Sequence, residues 1–275
     1  MLVHLDNGRH APSYVDTAVA LARRVSARLI GAYLVPFGDM SPTLAALLPD
    51  ELVTRRLREA SEAQRAAKLV FDEAASRGGV ERIEWRAPAG DPVRALVAQG
   101  RCTDLVVLGQ RDDDDPLAGF ARELVTEALF GLGRPILVVP YAGAHPTPGA
   151  RVLIATNGGR EAARAIADAM PIIEHASEVR VLVGAPEEAI DWSGYADVAD
   201  LLGGWLRDHD VEPVIERYGA ERGDHGEWLL SRVADYGSDL VVMGGYGHAR
   251  VREMVLGGMT RTILRSMTVP VLMSH

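Results

Sequence analysis

An internal repeat is the feature that most constrains the fold of this chain. Residues 104–109 (DLVVLG) recur as residues 239–244 (DLVVMG), and residues 135–139 (PILVV) recur as residues 270–274 (PVLMS). Both pairs are separated by the same offset of 135 residues. A repeat of this length is that of a whole domain, so the sequence predicts two copies of one fold in tandem.

The beginnings of the two copies match at a different offset. Residues 2–6 (LVHLD) correspond to residues 153–157 (LIATN), which lie 151 positions later. The first copy is therefore 16 residues longer, and we place its insertion within residues 36–75. A stretch rich in Gly, Pro and small side chains separates the copies, as is typical of a linker. We expect a first domain at 1–140, a linker at 141–150 and a second domain at 151–275.

Each copy alternates short apolar runs with segments of helical periodicity. In the second copy this pattern predicts strands at 152–156, 179–183, 212–218, 240–243 and 269–273, and helices at 160–173, 195–208, 226–236 and 259–265. Parallel strands need crossover helices of this kind. We therefore predict the α/β class, with two tandem five-stranded parallel sheets. In such sheets ligands bind beyond the carboxyl ends of the strands, which draws attention to the loops after the first and fourth strands.

Composition excludes several classes of function. The net charge is −9, so the surface offers no general attraction for nucleic acid or anionic membrane. Lys68 is the only lysine, which excludes a P-loop with its G-K-[ST] signature. Cys102 is the only cysteine, which excludes an intrachain disulfide and suits a reducing compartment. With no signal-like start and no apolar run of membrane-spanning length, we expect a cytoplasmic protein with no nucleic-acid or membrane partner.

A glycine-rich loop follows the fourth strand of the second copy. The strand runs into Met243-Gly244-Gly245-Tyr246-Gly247, and after nine intervening residues Gly257-Gly258-Met259-Thr260 opens a helix. Glycines let a ligand approach the backbone, and a helix N-terminus presents unpaired N–H groups with a partial positive charge. Together they form a phosphate cradle that needs no lysine. From spacing alone, an ordinary glycine-rich turn with helix caps is the favoured explanation of the pattern.

The wider pattern resembles the universal stress protein family. The residues that carry the resemblance are the DLVVMG strand at 239–244, Gly247, Gly257, Thr260 and the VPVL run at 269–272. The similarity covers both copies, as in the family's tandem members. It implies a Rossmann-like fold of the adenine nucleotide alpha hydrolase type. Some members bind ATP, so the resemblance implies ATP, AMP or ADP as ligand, with or without Mg²⁺.

The resemblance also assigns roles to residues of the second copy. Ala155, Thr156 and Asn157 match positions that line adenine and ribose, and Gly244, Gly247, Gly257, Gly258 and Thr260 match positions that hold ribose and phosphates. Met243 and Met259 complete the predicted cofactor-binding set. Two residues depart from the family pattern: Gly258 replaces a Ser or Thr, and Asn157 replaces an Asp. A hydroxyl lost from such a site removes a hydrogen bond typically worth ~1 kcal/mol.

The first copy lacks this constellation. At the 135-residue offset, Gly244 corresponds to Gly109, whereas the four remaining cradle positions are Asp112, Arg122, Glu123 and Val125. Four consecutive aspartates, residues 112–115, stand where a triphosphate would lie and would repel it. We predict that the first copy does not bind ATP in this way. For the aspartates themselves we favour a solvated, mobile loop over a Mg²⁺ or Ca²⁺ site.

These observations favour a regulatory protein that binds an adenine nucleotide in its second domain in response to stress. Two alternatives remain: a scaffold of the same fold that binds no nucleotide, and a slow ATPase. The sequence contains no convincing catalytic pair and no metal-ligand spacing. Members of the family dimerise through the fifth strand, so residues 136–139 and 271–273 are expected to pair within the chain as an intrachain pseudo-dimer. A homodimer of whole chains and an unidentified protein partner are further expectations.

Overall fold

The computed structural model describes residues 1–34, 48–112, 114–115, 118–184, 193–218, 225–246 and 258–275, and for residues 118–123 and 193–197 it describes the backbone alone. The first half contains β1 (Leu2–Leu5), α1 (Ala11–Arg24), β2 (Leu29–Tyr33), α2 (Asp50–Gly78), β3 (Ile83–Arg86), α3 (Pro92–Gly100), β4 (Val106–Gly109), α4 (Ala118–Gly131) and β5 (Ile136–Val139). The second half contains β6 (Arg151–Thr156), α5 (Arg160–Ile173), β7 (Glu178–Gly184), α6 (Ser193–Arg207), β8 (Pro213–Tyr218), α7 (His225–Tyr236), β9 (Leu240–Gly244), α8 (Gly258–Ser266) and β10 (Val271–Ser274).

The two halves share one strand order. The first half is arranged β3-β2-β1-β4-β5 and the second β8-β7-β6-β9-β10, with every pair inside each half parallel. The α/β class and the two five-stranded parallel sheets predicted from the sequence are thus confirmed. Because each half reverses its strand order at the centre, a crevice opens beyond the carboxyl ends of the two central strands.

The fifth strands join the two sheets into one. β5 pairs with β10 in antiparallel register, with Leu137 opposite Leu272, so the described strands form a single ten-stranded sheet. The expected pairing of the two fifth strands within the chain is therefore present. It satisfies the edge that each half would otherwise expose.

Helices cover both faces of the sheet because its central strands are buried on both sides. One hydrophobic cluster unites one face of the sheet with α1, α2, α5 and α6, and a second unites the other face with α3, α4, α7 and α8. The additional length of the first half lies largely in α2, which has 29 residues against 15 in α6. Within the described residues, no helix combines the length and the apolar character needed to cross a bilayer.

Candidate functional site

The crevice of the second half lies between β6 and β9. These neighbouring strands are parallel, and Ala155 of β6 lies opposite Met243 of β9. The predicted adenine and ribose residues therefore meet the beginning of the predicted phosphate loop at one edge of the sheet. Met259 of α8 packs against the hydrophobic cluster that contains Ala155 and Met243. Because α8 follows β9 and leads back to β10, which is parallel to β9, the beginning of α8 lies toward the same edge of the sheet.

The turn after β6 is held by its own side chains. The Thr156 hydroxyl accepts a hydrogen bond from the Gly158 amide at 3.0 Å, and Oδ1 of Asn157 accepts one from the Gly159 amide at 3.0 Å. Gly158 adopts a φ of +73°, which favours glycine. Asn157 is exposed, and because its Oδ1 supports the turn it would offer a ligand its Nδ2 donors. The aspartate usual at this position in the family has no such donor.

Gly244 is fixed by packing against a helix. A Cβ atom built at this position would lie 2.6 Å from the backbone nitrogen of Ala162 and 2.8 Å from the carbonyl carbon of Glu161. Both atoms belong to the first turn of α5, whose backbone cannot give way as a flexible side chain would. The structure therefore supplies a reason for glycine here that is independent of any ligand.

An ion pair lies on the same turn of α5. Glu161 is buried and accepts a hydrogen bond from Nε of Arg160 at 2.6 Å, while the Arg160 side chain is largely exposed. Burial acts to raise the pKa of Glu161, but the hydrogen bond from Arg160, its own backbone amide and nearby positive charge outweigh it, so the pKa lies below its usual value. The crevice thus has a carboxylate on one wall whose charge is balanced by Arg160.

The beginning of α8 is the open part of the site. Gly258 is exposed, and a Cβ atom built on it would have no heavy atom of the described residues within 4 Å. The first-turn amides of a helix have no partner within the helix and carry partial positive charge. Thr260, in the same turn, is buried. An exposed helix N-terminus with room beside it suits a phosphate group, so the described residues fit the predicted ligand.

Part of the predicted cradle lies outside the described residues. Gly247 and Gly257 belong to this part, as do the residues between them. Of the predicted set, Ala155, Thr156, Asn157, Met243, Gly244, Gly258, Met259 and Thr260 are described.

The equivalent crevice of the first half is closed by an ionic cluster. Asp112 is buried, and its carboxylate accepts hydrogen bonds from Nε of Arg9 at 2.9 Å and from Nε2 of His10 at 2.8 Å. Hydrogen bonds from Arg9 and His10 lower the pKa of Asp112 to about 2. Asp112 occupies the position of Gly247 in the repeat. The first half thus carries its own anion at a cradle position, bound by side chains from the loop after β1.

A second set of contacts fills the base of this crevice. The buried Tyr14 donates a hydrogen bond to Asp6 at 2.7 Å, and burial raises the pKa of Tyr14 well above its usual value. A Cβ atom built on Gly109 would lie 2.7 Å from Cδ1 of the Tyr14 ring. The remaining cavity is about 30 Å³, against ~300–1,000 Å³ for small-molecule pockets. The described residues of this crevice leave no room for a nucleotide.

The aspartate run needs one correction. The sequence predicts a solvated, mobile loop for residues 112–115, but Asp112 is buried and paired, and Asp115 accepts a hydrogen bond from the Arg9 amide at 3.3 Å. Asp113 lies outside the described residues. Among the residues that the structure does describe, no group of three or more His, Cys, Asp or Glu is arranged to hold a metal ion. Arg9 and His10, which the sequence reasoning missed, occupy the repeat positions of Arg160 and Glu161.

Comparison with known sequences gives one family for both halves. The model of the universal stress protein family matches residues 1–139 and 150–275. Among curated relatives, the universal stress protein Slr1230 of Synechocystis sp. is 24% identical over 216 residues, which span 75% of this chain and 71% of the relative.

Solved structures of low sequence identity share the fold over nearly the whole chain. A universal stress protein from Archaeoglobus fulgidus matches with a TM-score of 0.73 at 16% identity, covering 99% of this chain and 97% of its own. The functionally unknown protein PA1789 of Pseudomonas aeruginosa matches with a TM-score of 0.57 at 15% identity, covering 94% and 86%. At these identities the structures support the tandem fold alone.

Proposed function

Because the chain belongs to the universal stress protein family, we propose that its second domain, residues 151–275, binds ATP or a related adenine nucleotide and that the protein acts as a nucleotide-dependent regulator in a stress response. The observation that carries this proposal is the open N-terminus of α8 beside the carboxyl ends of β6 and β9. It combines partial positive charge, space for an anion and proximity to the residues that the family resemblance assigns to adenine and ribose.

Each part of the nucleotide has a proposed set of contacts. Ala155, Thr156 and Asn157 contact adenine and ribose, with Asn157 offering its Nδ2 donors. The phosphates lie against the backbone at Gly244, Gly258 and Thr260, with Met243 and Met259 beside them and with Gly247 and Gly257 completing the cradle. Mg²⁺ would accompany a triphosphate and balance part of its charge. Hydrogen bonds from backbone amides to the phosphate oxygens explain how a chain with a single lysine would bind a polyphosphate.

The first domain, residues 1–140, has a different proposed role. Its crevice is occupied by the Asp112 carboxylate and the Tyr14 ring, so we assign it no nucleotide. Occupancy of the second domain would change the loops at one edge of the sheet, and these loops are the proposed contact surface for a protein partner. The acidic charge and the single cysteine support a cytoplasmic location.

Mass spectrometry of the ligand released from purified, denatured protein tests the proposal, together with calorimetric titration with ATP-Mg. We expect an adenine nucleotide in the first measurement or saturable binding in the second. Gly258→Asp should abolish binding because it places a carboxylate at the phosphate position. Gly204→Asp is the control on α6, because a Cβ atom there likewise meets no described heavy atom within 4 Å. No released nucleotide and no binding at millimolar ATP-Mg would overturn the proposal.

A further inference from the structure

Gln110 of the first domain holds the end of a helix in the second domain. It follows β4 directly and is buried at the junction of the two halves. Its side-chain nitrogen Nε2 donates hydrogen bonds to the carbonyl oxygens of Leu264 at 2.9 Å and Arg265 at 3.1 Å. Its Oε1 accepts a bond from the Tyr141 amide at 3.2 Å. The surroundings fix this orientation, because carbonyl oxygens can only accept and an amide N–H can only donate.

The helix held in this way is α8, whose first turn is the proposed phosphate cradle. The last carbonyls of a helix have no partner within it, and Gln110 satisfies two of them. With nine residues, α8 is about 13 Å long, so it responds to a force at one end as a single rigid unit. An anchor at its C-terminus therefore sets the position of Gly258 and Thr260 at its N-terminus.

A second contact from the first domain reaches the other wall of the crevice. Leu129 of α4 packs so closely on Gly245 that a Cβ atom there would lie 2.6 Å from its Cδ2. The ring of Phe130 lies 4.9 Å from that of Tyr246 and 4.7 Å from that of His275. His275 in turn is bonded through Nδ1 to the carbonyl oxygen of Gly245 at 3.1 Å. The first domain thus touches both the exit of β9 and the end of α8.

The repeat makes this arrangement directional. At the 135-residue offset, Gln110 corresponds to Gly245 and Leu129 corresponds to Leu264. The two contacts between the halves are therefore equivalent in position but differ in chemistry. Gln110 clamps the backbone of the second domain's helix, whereas Gly245 has no side chain with which to clamp α4 in return. The difference favours support of the second domain by the first.

We propose that the first domain positions the phosphate end of the second-domain nucleotide site, and that Gln110 is the positioning residue; this rests on the proposed function. The copy that has lost its own cradle is retained as a structural part of the other copy's site. Nucleotide binding and the contact between the halves are then energetically coupled, because a shift of α8 disturbs both.

Gln110→Glu tests this proposal with a minimal change. The variant keeps an oxygen for the Tyr141 amide but replaces the donor that faces two carbonyl oxygens. Gln99→Glu is the matched control, because Gln99 lies on α3 and its Oε1 accepts from Arg86, a bond that a carboxylate preserves. Calorimetry would compare ATP with AMP for each protein, and hydrogen exchange would follow the amides of α8 without ligand.

We expect Gln110→Glu to weaken ATP binding on the order of fivefold, since a hydrogen bond is worth ~1 kcal/mol. The affinity for AMP, which has fewer phosphates to place on α8, should fall by a smaller factor than the affinity for ATP. General destabilisation of the protein would not produce this difference between the two nucleotides. The α8 amides should exchange faster, and Gln99→Glu should behave as the wild type. Phe130→Ala, at a partly exposed side chain, should also weaken ATP binding and provides the test if Gln110→Glu fails to fold.

The outcomes separate the two proposals. If the wild type binds ATP and Gln110→Glu binds ATP with the same affinity, the positioning role is wrong and the proposed function stands. If Gln110→Glu does not fold, the same conclusion follows from an unchanged ATP affinity of Phe130→Ala. An equal loss of ATP and AMP affinity would also contradict the positioning role. If the wild type binds no nucleotide, both proposals fail.

Discussion

Two glycines of the second-domain crevice look alike in the sequence but differ in their surroundings. Gly244 faces the backbone of α5, where a side chain has no space, whereas no described residue lies within 4 Å of the position that a Cβ of Gly258 would take. The pattern of glycines predicted a cradle, but only the packing distinguishes a glycine required by a neighbouring helix from one that a larger residue could replace. The two positions therefore respond differently to substitution.

Gly258→Ser is expected to strengthen nucleotide binding. The family resemblance expects Ser or Thr at this position, and within the described part of the chain the added Cβ meets no heavy atom closer than 4 Å. One added hydrogen bond to a phosphate is worth ~1 kcal/mol, or about a fivefold lower Kd. Calorimetric titration with ATP measures this, with Gly204→Ser as the control. An unchanged or higher Kd would argue against phosphate contact at Gly258.

Asp112→Asn is expected to lower the Tm at neutral pH. The hydrogen bonds from Arg9 and His10 lower the pKa of Asp112 to about 2 from the usual 3.8, so the paired carboxylate stabilises the fold above its unfolded-state pKa. This stabilisation is lost as the pH falls from about 4 through about 2, where the carboxylate becomes protonated. Thermal unfolding across this range should show the two proteins converging. Asp208→Asn, an exposed carboxylate after α6, is the control, and a difference independent of pH would contradict the assignment.

At the level of elements, the contact between α5 and β9 sets the shape of the crevice. The first turn of α5 rests on Gly244 through backbone atoms. This close approach brings the exit of β6 and the exit of β9 together, because α5 follows β6 after a turn of three residues.

Gly244→Ala should therefore destabilise the protein by about 1–3 kcal/mol, the usual cost of overpacking. Urea denaturation measures the loss, and Gly204→Ala, in open space inside α6, should be neutral or stabilising. If the urea concentration at the midpoint of unfolding is the same for Gly244→Ala and the wild type, α5 does not pack against this residue as described.

Periodicity predicted individual elements well and contacts between distant elements poorly. The predicted helix at 160–173 is confirmed as α5, whose alanine and isoleucine stripe has clear helical spacing. The last strand was predicted at 269–273 but begins at Val271, since Pro270 has no N–H for the ladder. The bond from Gln110 to Leu264 joins residues 154 positions apart, and no local pattern indicates it. Arg9 and His10 were missed for the same reason.

On the scale of the whole molecule, the seam between β5 and β10 makes two domains one sheet. Both strands are fully buried, and Leu137 faces Leu272 across the seam. The repeat predicted this pairing, because two identical edges in one chain can satisfy each other. It places the crevice of each half near the helices of the other.

Leu137→Ala should lower the free energy of unfolding by about 2–5 kcal/mol, since it creates a cavity at a fully buried position. Hydrogen exchange should show β5 and β10 losing protection together. Leu201→Ala, at a side chain that is 72% exposed, should change stability by less than ~0.5 kcal/mol. Loss of protection confined to β5 would show that the halves unfold independently.

The asymmetry between the two crevices is tested most directly by counting bound nucleotides. Equilibrium dialysis of the wild-type chain against labelled ATP-Mg gives the number of sites at saturation. One ATP per chain is the predicted result, because the second crevice has an open helix N-terminus and the first contains its own carboxylate. Two ATP molecules per chain, or none, would contradict this account.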